Sequence, residues 1–191
     1  MTPSQTTIPI ERIDPAGLPR VRALAEDIWR SCYAGLLSPG QIEYMLQWMY
    51  SPERLLQDWQ SGVCFEWPLV DGRPVGYLAT ELEPTRAVMH LHKLYVLPQY
   101  QRRGIGTRLL DHACQSAFRA GCQQVRLHVN KANHPAIACY RRHGFIQEAA
   151  VVNDIGGGYV MDDYVMVRSL TAGAPLAGRP ALIRRPDQPA R

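Results

Sequence analysis

The chain lacks any apolar run that could cross a bilayer. No uninterrupted hydrophobic stretch in its 191 residues approaches the ~18 residues that a membrane helix requires. The first residues, Met-Thr-Pro-Ser-Gln-Thr-Thr, are polar and show no basic-then-apolar order typical of a secretion signal. We therefore expect a protein with no membrane partner, located in the cytoplasm.

Paired cysteines and a dense basic face are also absent. The five cysteines are odd in number, have no C-x-x-C spacing and are scattered over Cys32, Cys64, Cys114, Cys122 and Cys139. They predict free thiols, with neither a disulfide framework nor a metal site. The net charge of +4 is modest, and part of it comes from arginines near the C-terminal end. Because a nucleic-acid footprint needs clustered basic and stacking side chains, we expect no nucleic-acid partner.

Two familiar nucleotide loops are missing, yet one segment has the properties of an anion site. The chain contains no G-x-x-x-x-G-K-[ST], and its glycine pair lacks the third glycine of a dinucleotide fingerprint. In 96–107, however, a strand-like run ends at Pro98 and a helix-like run begins near Gly104. A helix start offers unpartnered N–H groups and a positive dipole end, and glycines let an anion approach them. Polar donors surround this loop: Gln101, Arg102, Arg103 and Arg108. Since helix openings also use glycine for packing, the loop alone leaves both interpretations open.

Periodicity and turn signals predict helices followed by strands. Helices are expected over about 16–33, after Ser38-Pro39 and after Ser51-Pro52, then again over 104–120 and 135–143. Strands are expected near 8–13 and over 64–70, 75–83, 87–97, 125–129, 145–152 and 159–170. The strands flanking the 104–120 helix should be parallel. We expect one domain over 1–170 and a flexible tail over 171–191, where four prolines and two glycines accompany no aromatic residue.

Two motifs in register support a family resemblance. The first follows a Val-x-Pro strand end with Gln101, Gly104 and Gly106; the second comprises Asn133, Tyr140, Gly144 and Phe145. Over 87–146 the chain resembles the GCN5-related N-acetyltransferase (GNAT) superfamily. The resemblance implies an α/β (α+β) fold with a mixed, mostly antiparallel central sheet flanked by helices, and a parallel pair of strands around the CoA-binding crossover.

The resemblance also implies acetyl-CoA as co-substrate, with no metal. Backbone groups of Leu94, Tyr95 and Val96 would pair with the pantetheine amides, and Asn133 would contact the pantetheine. The diphosphate would lie against Gln101, Arg102, Arg103, Gly104, Ile105, Gly106 and Thr107.

Two side chains are candidates for proton transfer. Tyr140 occupies the position where the family commonly has a tyrosine near the CoA sulfur, so we expect it to be the acid; its alternative role is packing against pantetheine. Many relatives have a glutamate where this chain has His92, and a histidine with a pKa of ~6.5 can accept a proton. His92 is the expected base, although a structural role stays open and His90, on the same strand face, could compete.

The acceptor is expected to be a primary amine. Asp162 and Asp163 are adjacent on a strand, so at most one should face the cleft unless a bulge intervenes. An acidic lining would favour a cationic amine. We expect an N-acetyltransferase acting on a small amine, such as a polyamine or amino sugar, or on a protein amine, and a homodimer is possible. The alternative is a non-catalytic acyl-CoA-binding protein.

Overall fold

The structure is a computed structural model that describes residues 8–170, so the predicted tail over 171–191 lies outside the described residues. Five α-helices are α1 (Leu18–Cys32), α2 (Pro39–Tyr50), α3 (Pro52–Gln60), α4 (Ile105–Arg119) and α5 (His134–Arg142). The eight strands are β1 (Ile10–Arg12), β2 (Cys64–Val70), β3 (Arg73–Pro74), β4 (Gly76–Glu83), β5 (Val88–Val96), β6 (Gln124–Asn130), β7 (Ile146–Gly156) and β8 (Tyr159–Ser169). Within this part of the chain, no helix is long and apolar enough to span a membrane.

Helices α2 and α3 begin where the Ser-Pro pairs predict. The Ser38 hydroxyl accepts a hydrogen bond from the Gln41 N–H at 3.2 Å, and Ser51 makes the equivalent bond to Arg54 at 3.2 Å. Helix α1 begins at Leu18, slightly later than expected, because 15–17 form a 3-10 turn that is capped by Asp14. Together α1–α3 cover one face of the sheet with a buried cluster of apolar side chains.

The sheet is mixed and mostly antiparallel, as the family resemblance implies. Its strand order is β1-β2-β4-β5-β6-β8-β7, with β3 paired to β2. The only parallel pair in the described residues is β5–β6, which α4 connects by a crossover. Helices α4 and α5 pack on the face opposite α1–α3, over a second apolar cluster.

The parallel pair separates part-way along its length. Residues 88–91 of β5 pair with 124–127 of β6, and no pairing between these strands follows. From there β5 stays paired with β4 as far as Val96, while β6 stays paired with β8 as far as Asn130. The sheet therefore splits between its two central strands, and this split positions the site.

Candidate active site

A cleft of about 480 Å³ begins at the split and runs past α1 and α2. It receives side chains from β5, β6 and β8, from the loop before α4, and from α5. Its size lies in the range typical of small-molecule sites, ~300–1,000 Å³.

One end of the cleft is formed by the start of α4. Gly104 has a φ of +79°, and the first helical bond runs from the Arg108 N–H to the Gly104 carbonyl at 3.0 Å. Among the residues that the structure describes, no side chain caps this end of the helix, so the first-turn N–H groups are available to an anion. A Cβ added at Gly106, which lines the cleft, would meet no atom of residues 8–170 within 4 Å beyond its own turn of helix. Packing within the protein therefore does not require this glycine, whereas close approach of a ligand would.

The open edge of β5 supplies backbone groups to the cleft. Leu97 and Val75 are a hydrogen-bonded pair, because the Leu97 N–H donates to the Val75 carbonyl at 2.9 Å. Along an antiparallel ladder, hydrogen-bonded and non-hydrogen-bonded pairs alternate. Tyr95 therefore directs its backbone towards β4, while Leu94 and Val96 direct theirs towards the split. The Val96 carbonyl accepts a hydrogen bond from Gln101 Nε2 at 3.0 Å. This bond fixes the loop against the strand.

His92 is the extra residue of a β-bulge. Ala79 of β4 pairs with Lys93 and Thr80 with Leu91, so His92 is skipped in the pairing register. Its Nε2 lies 2.8 Å from a Glu81 carboxylate oxygen, and its ring lines the cleft. Burial lowers the pKa of His92, against the opposing effect of Glu81. The imidazole is thus neutral at pH 7 and able to accept a proton.

His90 and Lys93, on the same strand as His92, have different partners. His90 stacks on His92 with a centroid distance of 5.9 Å, confirming that they share a face, but it binds Glu83 at 2.8 Å and does not line the cleft. Lys93 is buried and its Nζ lies 3.5 Å from an Asp58 carboxylate oxygen on α3. The Lys93–Asp58 pair tethers the bulge that presents His92.

Tyr140 lines the cleft from α5 beside the split. Burial raises the pKa of its phenol well above the ordinary value of 10.0, so the group stays protonated at neutral pH and can donate a hydrogen bond. Its ring also packs on Phe145, with centroids 5.7 Å apart. Asn133, which lines the cleft too, caps α5 by accepting a hydrogen bond from the Ala136 N–H at 3.2 Å.

The other end of the cleft is aromatic. Trp29 stacks on Tyr33 at a centroid distance of 4.5 Å, and the Tyr33 and Tyr95 hydroxyls lie 3.3 Å apart. All three side chains line the cleft. Burial raises the pKa of both Tyr33 and Tyr95, so these hydroxyls remain neutral.

Asp163 is the acidic residue that enters this end. It lines the cleft and is 2% exposed, whereas Asp162 points away and pairs with Lys131. The expectation that only one of the two faces the cleft is therefore confirmed. Burial first, and then the Asp162 charge, raises the pKa of Asp163 to about 6.

The cleft brings together most of the predicted site residues. Its lining includes Tyr140, His92, Leu94, Tyr95, Val96, Gln101, Arg102, Gly106 and Asn133. Four predicted contacts are not part of that lining: Arg103, Gly104, Ile105 and Thr107. Ile105 buries its side chain in the core, and Arg103 lies over the Tyr100 ring, 5.4 Å from its centroid.

Two residues near the site, Glu81 and His128, are absent from the sequence-based prediction. Glu81 reaches His92 only because the bulge shifts the strand register. His128 lines the cleft from β6, and burial lowers its pKa. Alternation along β6 could have indicated that His128 faces away from the α4 side. Within residues 8–170, no group of three or more His, Cys, Asp or Glu is arranged to hold a metal ion, and all five cysteines are free thiols.

Solved structures of N-acetyltransferases have a similar fold. PaiA N-acetyltransferase from Thermoplasma acidophilum, solved in complex with coenzyme A, has a TM-score of 0.72 and 24% identity, covering 86% of this chain and 99% of its own. The ribosomal-protein-S18-alanine N-acetyltransferase from Escherichia coli has a TM-score of 0.68 and 18% identity, covering 88% and 97%. The fold is thus that of N-acetyltransferases.

The family is established by sequence. The profile of the acetyltransferase (GNAT) family matches residues 22–145, and this chain belongs to that family. Spermidine N(1)-acetyltransferase of Thermoplasma acidophilum is 28% identical over 144 residues, 73% of this chain and 88% of the relative. An uncharacterised N-acetyltransferase of Methanocaldococcus jannaschii is 36% identical over 87 residues, which are 43% of this chain and 38% of that protein. The resemblance inferred from the two motifs is confirmed.

Proposed function

We propose that this protein transfers the acetyl group of acetyl-CoA directly to the primary amine of a small molecule, of polyamine or amino-sugar type, or of a protein. The observation that carries the proposal is one cleft in which a split strand pair, an uncapped helix start, Tyr140 and His92 meet. Family membership and relatives named for amine acetylation, including a spermidine acetyltransferase, support it.

The residues around the split fit the co-substrate. Backbone groups of Leu94 and Val96 suit the pantetheine amides. The backbone contact that the resemblance implies for Tyr95 does not fit, because the Tyr95 backbone is directed towards β4. The loop and the first turn of α4 suit the diphosphate: Gln101, Arg102, Arg103, Gly104, Ile105, Gly106 and Thr107. Asn133 faces the same channel. Charge-assisted hydrogen bonds of about 1.5–3 kcal/mol each would together support micromolar binding.

The reaction requires two proton transfers. A lysine-like amine with a pKa of ~10.4 is only about 0.04% neutral at pH 7, and only the neutral form attacks a thioester. The amine nitrogen forms a C–N bond to the acetyl carbon as the C–S bond breaks. His92, oriented by Glu81, receives the amine proton, and Tyr140 gives a proton to the departing sulfur. Each such transfer contributes typically ~10²–10⁴-fold.

Calorimetric titration with acetyl-CoA and with CoA, followed by thiol release over a panel of amines, tests the proposal. We expect micromolar binding of both nucleotides and amine-dependent release. If acetyl-CoA binds but no amine on the panel causes thiol release, the alternative of a non-catalytic acyl-CoA-binding protein would be favoured. No binding would contradict the assignment of the α4 start as the diphosphate site.

A further inference from the structure

The Asp163 carboxylate is buried without a counter-ion of its own. It is 2% exposed, and within residues 8–170 no group donates a hydrogen bond to it. Lys131, whose charge acts on Asp163 through space, pairs with Asp162 instead. A buried carboxylate that lacks a partner is costly, so its place in a ligand cleft indicates that a ligand supplies the missing charge.

The other groups facing Asp163 leave that charge unmatched. Tyr33 approaches it from α1, Asn130 lies opposite on β6, and Val151 lies opposite on β7. None of these carries a positive charge. Asp162 and Lys131 act on Asp163 only through space, with opposing signs.

Aromatic faces surround the same end of the cleft. Trp29, Tyr33 and Tyr95 form one wall, and Met45, Met49 and Met161 line it as well. Aromatic faces attract a cation held within about 6 Å of the ring, and thioethers accommodate a hydrocarbon chain. These walls suit an ammonium group on a short apolar stem.

A hairpin closes this end of the cleft against α2. Gln41 Nε2 donates to the Val160 carbonyl at 2.8 Å, and the Tyr44 hydroxyl donates to the Ile155 carbonyl at 2.5 Å. The Tyr44 and Tyr159 rings pack with centroids 5.3 Å apart. Because Gln41 and Val160 also line the cleft, the contact between α2 and the β7–β8 hairpin forms its roof.

We propose that Asp163 binds the ammonium group of the acceptor beneath this roof, so that the protein acetylates small, flexible primary amines and not amines of polypeptides. This inference rests on the proposed function and narrows its acceptor. Asp163 holds the charged amine before deprotonation. The roof excludes a polypeptide acceptor, in which bulky groups lie on both sides of the amine.

Direct binding tests the role of Asp163 without requiring turnover. Titration of 1,4-diaminobutane into the CoA-saturated protein should give saturable binding, weakened at least tenfold in Asp163→Asn, with CoA affinity changed less than twofold. The matched control, Asp162→Asn, removes the neighbouring charge that faces away from the cleft and should bind the diamine within twofold of the parent chain. Equal diamine affinity in Asp163→Asn, or no diamine binding by the parent chain, would overturn the assignment.

Comparison of kcat/KM between a small amine and a peptide tests whether the roof excludes polypeptide acceptors. We expect kcat/KM for 1,4-diaminobutane to exceed that for the α-amine of an unstructured heptapeptide at least 100-fold. Opening the roof with Tyr44→Phe and Gln41→Ala together should narrow this ratio at least threefold. Comparable rates for the peptide and the diamine in the parent chain would overturn the acceptor class while leaving the transferase activity intact, whereas absence of thiol release with both would count against the proposed function itself.

Discussion

Main-chain groups form one end of the cleft, and side chains form the other. At the proposed co-substrate end the groups are main-chain groups of β5 and of the start of α4, with glycines that leave open space beside them. At the proposed acceptor end they are side chains: the buried Asp163 and Trp29, the half-buried Tyr33, and the more exposed His92–Glu81 pair. A main-chain site tolerates most substitutions except those that fill its open space, whereas a side-chain site depends on each group that lines it. Substitutions at the two ends should therefore differ in which of these two dependences they reveal.

The largest effect is expected at Gly106. Gly106→Val adds a branched side chain where the protein itself leaves open space, so the chain should fold while acetyl-CoA affinity falls at least 100-fold. Calorimetry measures the affinity. Gln115→Val is the matched control, because it places the same β-branched side chain in the middle of α4, away from the cleft. Similar acetyl-CoA affinity in both variants would contradict the position of the diphosphate.

Removing the Tyr140 hydroxyl should act on turnover alone. We expect Tyr140→Phe to lower kcat at least tenfold with little change in CoA affinity, because the phenol donates to the departing sulfur and does not hold the nucleotide. Tyr164→Phe, on the strand that carries Asp163 but outside the cleft lining, serves as control. An unchanged kcat would remove Tyr140 from the acid role and leave it a packing residue.

His92→Ala should lower kcat/KM for a diamine about tenfold at pH 7, and by less at pH 9. The difference shrinks because a larger fraction of the amine is already neutral at higher pH and needs the base less. His90→Ala, which loses the neighbouring imidazole that binds Glu83, should stay within twofold at both values. A loss in His92→Ala that does not depend on pH would indicate a structural role.

The smallest effect concerns stability. Because burial raises the pKa of Asp163 from 3.8 to about 6, protonated Asp163 favours the folded state; this contribution is complete below pH 3.8 and is lost as the pH rises through 6. Above pH 6 the ionised group costs up to about 3 kcal/mol.

Asp163→Asn should therefore melt about 3–8 °C higher than the parent chain at pH 7.5, with little difference near pH 4. Scanning calorimetry at the two pH values measures this. A lower melting temperature at pH 7.5 would show that Asp163 is held by favourable contacts, contrary to the unpaired carboxylate described above.

The same contrast explains what the sequence could predict. The α4 loop and the Asn133–Phe145 segment are local motifs, so their residue types and spacings indicated the proposed co-substrate end. Periodicity, turn signals and the helical crossover predicted most of the helices and strands and the parallel pair. Which main-chain groups face the cleft could not be predicted from these motifs. The direction of the Tyr95 backbone towards β4 depends on the register of β4 against β5, which sets the hydrogen-bonded pairs.

The acceptor end could be predicted only in part. Alternation correctly limited the cleft-facing acids to one of two, but the choice of Asp163 required the tertiary structure. The Glu81–His92 pair depends on a bulge at which His92 has no partner on the neighbouring strand. No turn residue or glycine in the sequence indicates this bulge. The roof joins Tyr44 to Ile155, residues far apart in the chain that no local pattern relates.

Amine-dependent thiol release tests the central claim most directly. With purified protein, acetyl-CoA and 1,4-diaminobutane, we predict CoA release that saturates in both substrates and yields an equal amount of N-acetylated diamine. Saturable acetyl-CoA binding accompanied by release no faster than hydrolysis, whichever amine is supplied, would contradict it.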